Sequence, residues 1–273
     1  MVKSKILYIS QEITPYFPES EMSIISRYLP QSIQENGKEI RTFMPKFGII
    51  NERRHQLHEV IRLSGMNIIV NDSDHPLIIK VASIQQARLQ IYFIENEEFF
   101  QRKFIFHDAD GNFFEDNAER SLFYTKGVLE TVKKLRWAPD IVHCHGWFSA
   151  LAPILIKKVM NEDPYFAKSK IVFSVYDDYF SDTLDLKLKN KIRKMGVNEK
   201  DIKLLEQPTY ENLLISALKM SDGIIRGSDK INSEVENYII ESNKPFLVYE
   251  DKENYVEFIN DFYNLLLKPQ ENV

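Results

Sequence analysis

Two histidines in the segment His143-Cys144-His145-Gly146-Trp147-Phe148 have the spacing that would let them act together. They are two residues apart, and side chains at that spacing point to the same face of a β-strand. Two imidazoles on one face either share a ligand or metal ion, or lie in the interior as hydrogen-bonded core residues. Because no further histidine or cysteine cluster completes a metal site, the pattern favours the second interpretation and predicts no bound metal.

Residues 11–21 join the first predicted strand to the first predicted helix, where free N–H groups and the helix dipole attract an anion. A phosphate at such a place usually also needs glycine, for close approach of the backbone, and a lysine or arginine. Residues 15–21 contain neither, and Glu19 and Glu21 stand there instead. The two acids reject phosphate, or they stabilise the helix amino terminus, and these interpretations are compatible.

Two further segments carry groups that could bind a ligand. Tyr176-Asp177-Asp178-Tyr179-Phe180 places carboxylates beside aromatic rings, a combination that suits sugars, whose C–H faces stack while their hydroxyls donate hydrogen bonds. An aspartate that caps a helix would produce the same pattern. Residues 185–194 place Lys187, Lys191 and Lys194 on one helix face, which is typical of a solvated surface and less often of a site for an acidic partner.

The elements that position these residues follow from hydrophobic periodicity. Residues 5–9 form an apolar strand, residues 22–36 repeat apolar side chains at helical spacing, and residues 39–44 form the next strand. Short β-rich runs at 66–70, 77–83 and 90–94 then predict a meander. We therefore predict an α/β fold, with a doubly wound, mostly parallel, Rossmann-like sheet and an added β-meander, in which ligands collect at the carboxyl ends of the strands.

The second half of the chain continues the alternation of helix and strand. Residues 117–136 are predicted to form a helix capped by Asp116, with Ala118, Leu122, Leu129 and Val132 facing inward. Further strands are predicted at 141–144, 170–175, 223–225 and 246–249, and further helices at 147–160, 210–220, 231–240 and 255–267.

Composition limits the classes of function. The chain has 273 residues, a formal net charge of -5 and one cysteine, Cys144. The absence of a linker predicts one domain over residues 1–273, and the negative charge argues against a nucleic-acid partner. The sequence shows no signal peptide and no apolar run of the roughly 20 residues that cross a bilayer. We therefore predict a cytoplasmic protein without membrane insertion.

Several segments, in order along the chain, resemble the N-terminal domain of bacterial glycogen and starch synthases, which form glycosyltransferase family 5. The segments are ILYISQE at 6–12, YFIEN at 92–96, DNAER at 116–120, APDIVHCHGW at 138–147 and IVFSV at 171–175. The resemblance implies one half of a GT-B fold, in which two Rossmann-like domains face each other across a cleft. It also implies retaining transfer of glucose from ADP-glucose to an α-1,4-glucan without a metal, with most donor contacts in a C-terminal domain that lies outside this chain. Residues 253–267 are expected to form a C-terminal helix that covers the N-terminal domain.

The positions that match the family's functional motifs have changed. The family's Lys-Thr-Gly-Gly-Leu aligns with residues 18–22, so Pro18, Glu19, Ser20 and Glu21 form a degenerate donor loop. The family's His-Asp-Trp-His becomes residues 145–148, and its later His-Asn becomes Tyr176-Asp177. Only Glu12, His143, His145 and Trp147 match. With the changed positions they make up the candidate residues for binding a ligand or glucan: Glu12, His143, His145, Trp147, Phe148, Tyr176 and Asp177.

These changes predict a non-catalytic protein without catalytic residues or cofactor, which binds an α-glucan or a protein. One alternative is an active glucosyltransferase of the glycogen synthase type, either alone or with a partner chain that supplies the donor domain. Another is a pure protein-interaction scaffold, because aromatic residues cluster near the strand ends. Those aromatic residues are Phe17, Trp147, Phe148, Tyr176 and Tyr179.

Overall fold

The structure is a computed structural model that describes residues 3–248 and 255–268. Over these residues the strands are β1 (Lys5–Ser10), β2 (Glu39–Pro45), β3 (His58–Glu59), β4 (Met66–Val70), β5 (Ser73–Ile84), β6 (Leu89–Glu95), β7 (Ile141–His145), β8 (Lys170–Val175), β9 (Gly223–Arg226) and β10 (Phe246–Leu247). The helices are α1 (Glu21–Glu35), α2 (Glu52–His55), α3 (Glu97–Phe100), α4 (Asn117–Lys134), α5 (Leu151–Lys158), α6 (Leu188–Lys194), α7 (Tyr210–Lys219), α8 (Ser233–Glu241) and α9 (Tyr255–Leu267).

The strands form a mixed sheet in the order β10-β9-β8-β7-β1-β2-β6-β5-β3, and β4 pairs with β5 as a hairpin. Strands β10 to β6 in this order are parallel, whereas β5 pairs antiparallel with β6. The chain winds outward from β1 through β2 on one side and from β7 through β10 on the other. The predicted doubly wound α/β class with a meander is therefore confirmed, and the winding reverses between β1 and β7, the place where such sheets form a ligand crevice.

Two predicted helices differ from the observed ones at their amino termini. Helix α4 buries all four residues predicted to face inward, but the Asp116 side chain does not cap it. Its carboxylate pairs with the Arg102 guanidinium, with one N–O distance of 2.6 Å. The predicted helix at 147–160 is divided into a 3-10 turn, Trp147–Ser149, and α5. The turn is irregular because loop side chains, and not the preceding turn, accept the N–H groups of Trp147 and Phe148.

The basic run in α6 is only partly the solvated face that its charge predicts. Lys191 is 9% exposed, and its ammonium group lies 2.5 Å from a Glu119 oxygen and 2.6 Å from an Asp185 oxygen. It therefore joins α6 to the start of α4, whereas Lys187 and Lys194 remain exposed. The sequence pattern could not show this, because Glu119 lies in α4, 72 residues earlier in the chain.

Helix α9 lies over α1 and the adjoining strands. Ile259, Phe262 and Tyr263 are buried, and the Lys38 ammonium donates to the Asn260 side-chain oxygen over 2.6 Å. The predicted covering helix is thus present over 255–267, while residues 253 and 254, and residue 249 of the last predicted strand, lie outside the described residues. In the part of the chain that the structure describes, no helix is long and apolar enough to span a membrane.

Candidate functional site

The loops after β1 and β7 are packed closely at the switch point of the sheet. The backbone N–H of Gln11 donates to the His145 backbone carbonyl over 3.1 Å, and the Gln11 side-chain oxygen accepts from the Phe148 N–H over 3.1 Å. Gly146 between them has a φ of +81°, and a Cβ there would lie 2.8 Å from the Met22 sulfur. Glycine is therefore required at this position, and its close approach is to the first turn of α1.

The amino terminus of α1 is closed by its own side chains. The Ser20 hydroxyl accepts from the Ser23 N–H over 3.0 Å, and the Ser23 hydroxyl accepts from the Ser20 N–H over 2.8 Å, which is a reciprocal capping box. The Ser20 hydroxyl also donates to the Glu12 carboxylate. Burial raises the pKa of Glu12, and Glu19 and Glu21 are exposed beside it. Two N–H groups at this helix end are thus occupied, and three carboxylates surround it.

Replacing Ser20 with alanine is expected to lower the free energy of unfolding by about 1 kcal/mol, the usual value of a serine cap. Chemical denaturation followed by circular dichroism measures the change. Ser20→Thr keeps the hydroxyl and should stay within about 0.5 kcal/mol of the original protein. Equal losses in the two variants would show that the hydroxyl does not cap the helix.

The two histidines lie in the interior, on the same face of β7 as their spacing predicts. Both are 0% exposed, and their ring centroids are 3.9 Å apart. His143 hydrogen-bonds through Nδ1 to the Tyr263 hydroxyl at 2.5 Å and through Nε2 to the Ser174 hydroxyl at 2.7 Å. His145 hydrogen-bonds through Nδ1 to the Tyr176 hydroxyl at 2.7 Å.

Burial keeps both imidazoles neutral. It lowers the pKa of His143 well below its ordinary value and that of His145 to about 3. Within residues 3–248 and 255–268, no three His, Cys, Asp or Glu side chains are grouped to hold a metal ion. The arrangement supports a hydrogen-bonded interior that fixes α9 to the sheet through Tyr263.

The aromatic candidates are also mostly interior. Trp147 and Tyr176 are each 2% exposed, and Phe148 is 0% exposed. The Trp147 ring packs against Phe106 and Phe180 at centroid distances of 4.7 and 4.8 Å. Of the aromatic residues predicted to cluster near the strand ends, Tyr179 is exposed, at 53%. The sheet edge therefore presents few ring faces on which a sugar could stack.

Two adjacent aspartates follow β8, and the side chain of the second hydrogen-bonds to other segments of the chain. Asp177 is exposed, whereas Asp178 accepts from the Trp147 N–H over 2.8 Å and from the Tyr210 hydroxyl over 2.7 Å. Burial raises the pKa of Asp178 to about 7. The sequence showed an acidic pair but not which member turns inward, because Tyr210 comes from α7, far along the chain.

A groove of about 610 Å³ lies between the start of α4 and the loop that follows β8. Asp116, Glu119 and Asp185 line it, and each already pairs with a cation, Arg102 or Lys191. The remaining lining residues are Glu115, Thr183, Leu184, Leu186 and Lys187. The carboxylates and the Thr183 hydroxyl can accept hydrogen bonds from hydroxyl groups, and Leu186 adds apolar surface. No motif in the sequence identifies this groove, since its two walls are more than 60 residues apart.

Comparison with known proteins identifies the family of the chain. The family model for the starch synthase catalytic domain matches residues 5–243. The chain belongs to the starch synthase catalytic domain family. This confirms the predicted resemblance to glycosyltransferase family 5.

Individual relatives agree with this assignment. The chain is 37% identical to a glycogen synthase of Chlorobium limicola over 189 residues, which cover 69% of this chain and 39% of that enzyme. It is 32% identical to a glycogen synthase of Chlorobium phaeovibrioides over 233 residues, 85% of this chain and 47% of the relative. The chain thus spans less than half the length of these curated relatives.

A solved structure with a similar fold is the catalytic domain of starch synthase IV from Arabidopsis thaliana bound to ADP and acarbose. The TM-score is 0.69 at 15% identity, over 92% of this chain and 52% of that one. At this identity the likeness concerns the fold, which is the α/β architecture of a GT-B half. The family model and the curated relatives show that the chain is a glycogen or starch synthase-like domain.

Proposed function

We propose that this starch synthase-like domain is non-catalytic and acts as a binding module for an α-glucan. The observation that carries the proposal is the closed amino terminus of α1. Its capping Ser20 stands at a position where the family pattern has a glycine, and Pro18 stands at the lysine. The lysine and the glycine backbone that would donate hydrogen bonds to a diphosphate are thus absent, and the Ser20 hydroxyl that stands there is engaged with Glu12 and with the Ser23 N–H.

Electrostatics also argues against binding and transfer from a sugar-nucleotide donor. Preorganised donors at a transition state are commonly worth roughly 3–4 kcal/mol each, and here a cation and a close backbone approach are both missing. The carboxylates of Glu12, Glu19 and Glu21 add repulsion toward a diphosphate. The interior of the domain is nevertheless well packed, which fits a framework retained for binding.

The acid-lined groove between α4 and the loop after β8 is the proposed ligand site. Its carboxylate and hydroxyl acceptors suit the many hydroxyl donors of a glucan chain, and its volume is within the range of about 300–1,000 Å³ for ligand sites. A protein ligand is the second candidate, because Leu186 is 64% exposed beside Glu115, which has no ion pair in the described ranges.

Two assays test whether the domain is catalytic. Isothermal titration with ADP-glucose should give no saturable heat, and a radiolabelled transfer assay onto glycogen should give no incorporation above background. Incorporation by the purified chain would overturn the proposal. Activity that appears only when a separate C-terminal half is added would instead favour the two-chain glucosyltransferase.

Affinity electrophoresis in gels containing glycogen tests the groove. We expect retarded migration, and we expect Glu115→Ala combined with Leu186→Ser to reduce the retardation at least about threefold. Glu162→Ala changes an exposed acid outside the groove and should migrate like the original protein. Trp147→Ala is unsuitable, because Trp147 is a core side chain. Migration that glycogen does not retard would exclude the glucan and leave the protein ligand.

A further inference from the structure

A second groove, of about 350 Å³, lies at the opposite edge of the sheet, where β2 and β6 begin. Four basic side chains line it: Lys3, Lys38, Arg41 and Arg88. The seven residues of β2 separate this edge from the carboxyl edge by about 20 Å at the usual rise per residue. The groove is therefore distinct from the site proposed for glucan.

The positive charge in this groove is not balanced by the acid that lines it. Glu39 is the carboxylate among the lining residues, and its oxygen accepts from the Trp137 indole N–H over 2.6 Å. The same oxygen lies 3.7 Å from an Arg41 nitrogen, which is a long ion pair. Four cations thus face one acid in a chain whose net charge is -5.

The cations also lack strong partners within the protein. The Arg41 guanidinium stacks over the Trp137 ring at 5.5 Å and donates to the Ile40 carbonyl over 3.3 Å. Its Nε is buried without a hydrogen-bond partner in the described chain, although such buried donors are usually paired. Lys3 and Arg88 are exposed and make no ion pair within residues 3–248 and 255–268.

Lys38 is held in place by a neutral group. Its ammonium donates to the Asn260 amide oxygen over 2.6 Å. Burial lowers the pKa of Lys38, and the charge of Asp261 opposes that shift. The groove therefore has an ordered cation whose direct partner does not neutralise it, beside a guanidinium with a spare donor.

We propose that this groove binds a phosphorylated small molecule. Phosphate oxygens accept bidentate hydrogen bonds from guanidinium groups and charge-assisted bonds from ammonium groups. Gln34 and Gln90 line the same groove, and their side-chain amides can hydrogen-bond sugar hydroxyls. The volume suits one phosphorylated sugar or mononucleotide. This inference does not depend on the proposed function, because the two sites share no residue.

Tryptophan fluorescence provides a direct test, since the chain has two tryptophans and Trp137 contacts Arg41. The probes are inorganic phosphate, ribose 5-phosphate and AMP at constant ionic strength, with neutral ribose as the control. We expect a saturable change with the phosphorylated probes and none with ribose. Because AMP absorbs light, isothermal titration measures its affinity independently. Trp147→Phe leaves Trp137 as the reporter and should keep the response.

Matched variants test whether the probes bind in this groove. Lys3→Gln combined with Arg88→Gln removes two exposed cations without touching the core, and should weaken binding at least about tenfold. Arg53→Gln removes an exposed cation elsewhere and should leave the affinity unchanged. Binding that is absent up to 10 mM of every probe, or that the two sets of variants weaken equally, would overturn the proposal.

Discussion

Arg120→Ala is expected to lower the free energy of unfolding by about 3–5 kcal/mol, because each buried carbonyl left without its donor costs about 1–3 kcal/mol and the lost side chain leaves a cavity. Arg120 is 0% exposed, and its guanidinium donates to the Phe99 carbonyl over 2.7 Å and to the Ile105 carbonyl over 2.6 Å. Alanine would leave both carbonyls unpaired and open a cavity among aromatic rings. Burial lowers the pKa of Arg120 to about 10, so the side chain stays charged at neutral pH.

Urea denaturation monitored by circular dichroism measures this loss. Arg120→Lys keeps the charge but not the planar fork, and should recover only part of the stability. Arg53→Ala changes an exposed arginine and should alter stability by less than about 0.5 kcal/mol. A loss below about 1 kcal/mol for Arg120→Ala would mean that the guanidinium does not hold these segments together.

Acidification is expected to destabilise the protein through His143 and His145. Both have a folded pKa below the ordinary value of 6.5, so the unfolded chain binds more protons. The contribution is complete above pH 6.5 and declines as pH falls, until the folded pKa is reached, about 3 for His145. His145 alone loses about 1.4 kcal/mol per pH unit once the pH is well below 6.5, which amounts to about 2 kcal/mol between pH 6.5 and 4.5, and His143 adds a loss in the same direction.

Comparison with a variant isolates this effect from the titration of the carboxylates. His145→Asn should reduce the slope of stability against pH by about one proton over this window, whatever its stability at pH 7. His58→Asn replaces an exposed histidine and should leave the slope unchanged. If the original protein and His145→Asn show the same slope, the buried imidazole is not the group that titrates.

The destabilisation has a structural consequence at α9. Tyr263 of α9 hydrogen-bonds His143, and its hydroxyl also donates to the Tyr8 hydroxyl over 3.3 Å. No carboxylate of the described residues hydrogen-bonds either imidazole, so a proton on one of them would be unpaired in the interior. We therefore expect amide exchange in α9 to increase with the loss of stability at acidic pH.

Periodicity and composition predicted the order of elements well. The βαβ unit from β1 to β2 and the buried strand β8 follow from the spacing of apolar residues, which is a local property of the chain. The two-residue spacing likewise placed His143 and His145 on one face, as their 3.9 Å ring separation shows. Local geometry alone fixes these features.

Predictions that depended on partners were less successful. Asp116 was expected to cap α4, but the Arg102 guanidinium, 14 residues earlier in the chain, forms an ion pair with it. The aromatic residues near the strand ends predict a binding surface, yet Trp147 and Tyr176 are buried by residues from distant segments. Their chemistry is compatible with either environment, and only packing selects one.

The sequence by itself determined the fold class, the family and the absence of lysine and glycine from the loop before α1. Tertiary structure decided that Ser20 and Glu12 close this helix end, that Asp178 is the inward acid, and that two grooves lie at opposite edges of the sheet. The physical reason is the distance along the chain over which each kind of interaction acts. Hydrophobic periods and motifs act over a few residues, whereas hydrogen-bond partners and cavity walls are brought together from distant positions by the topology of the sheet.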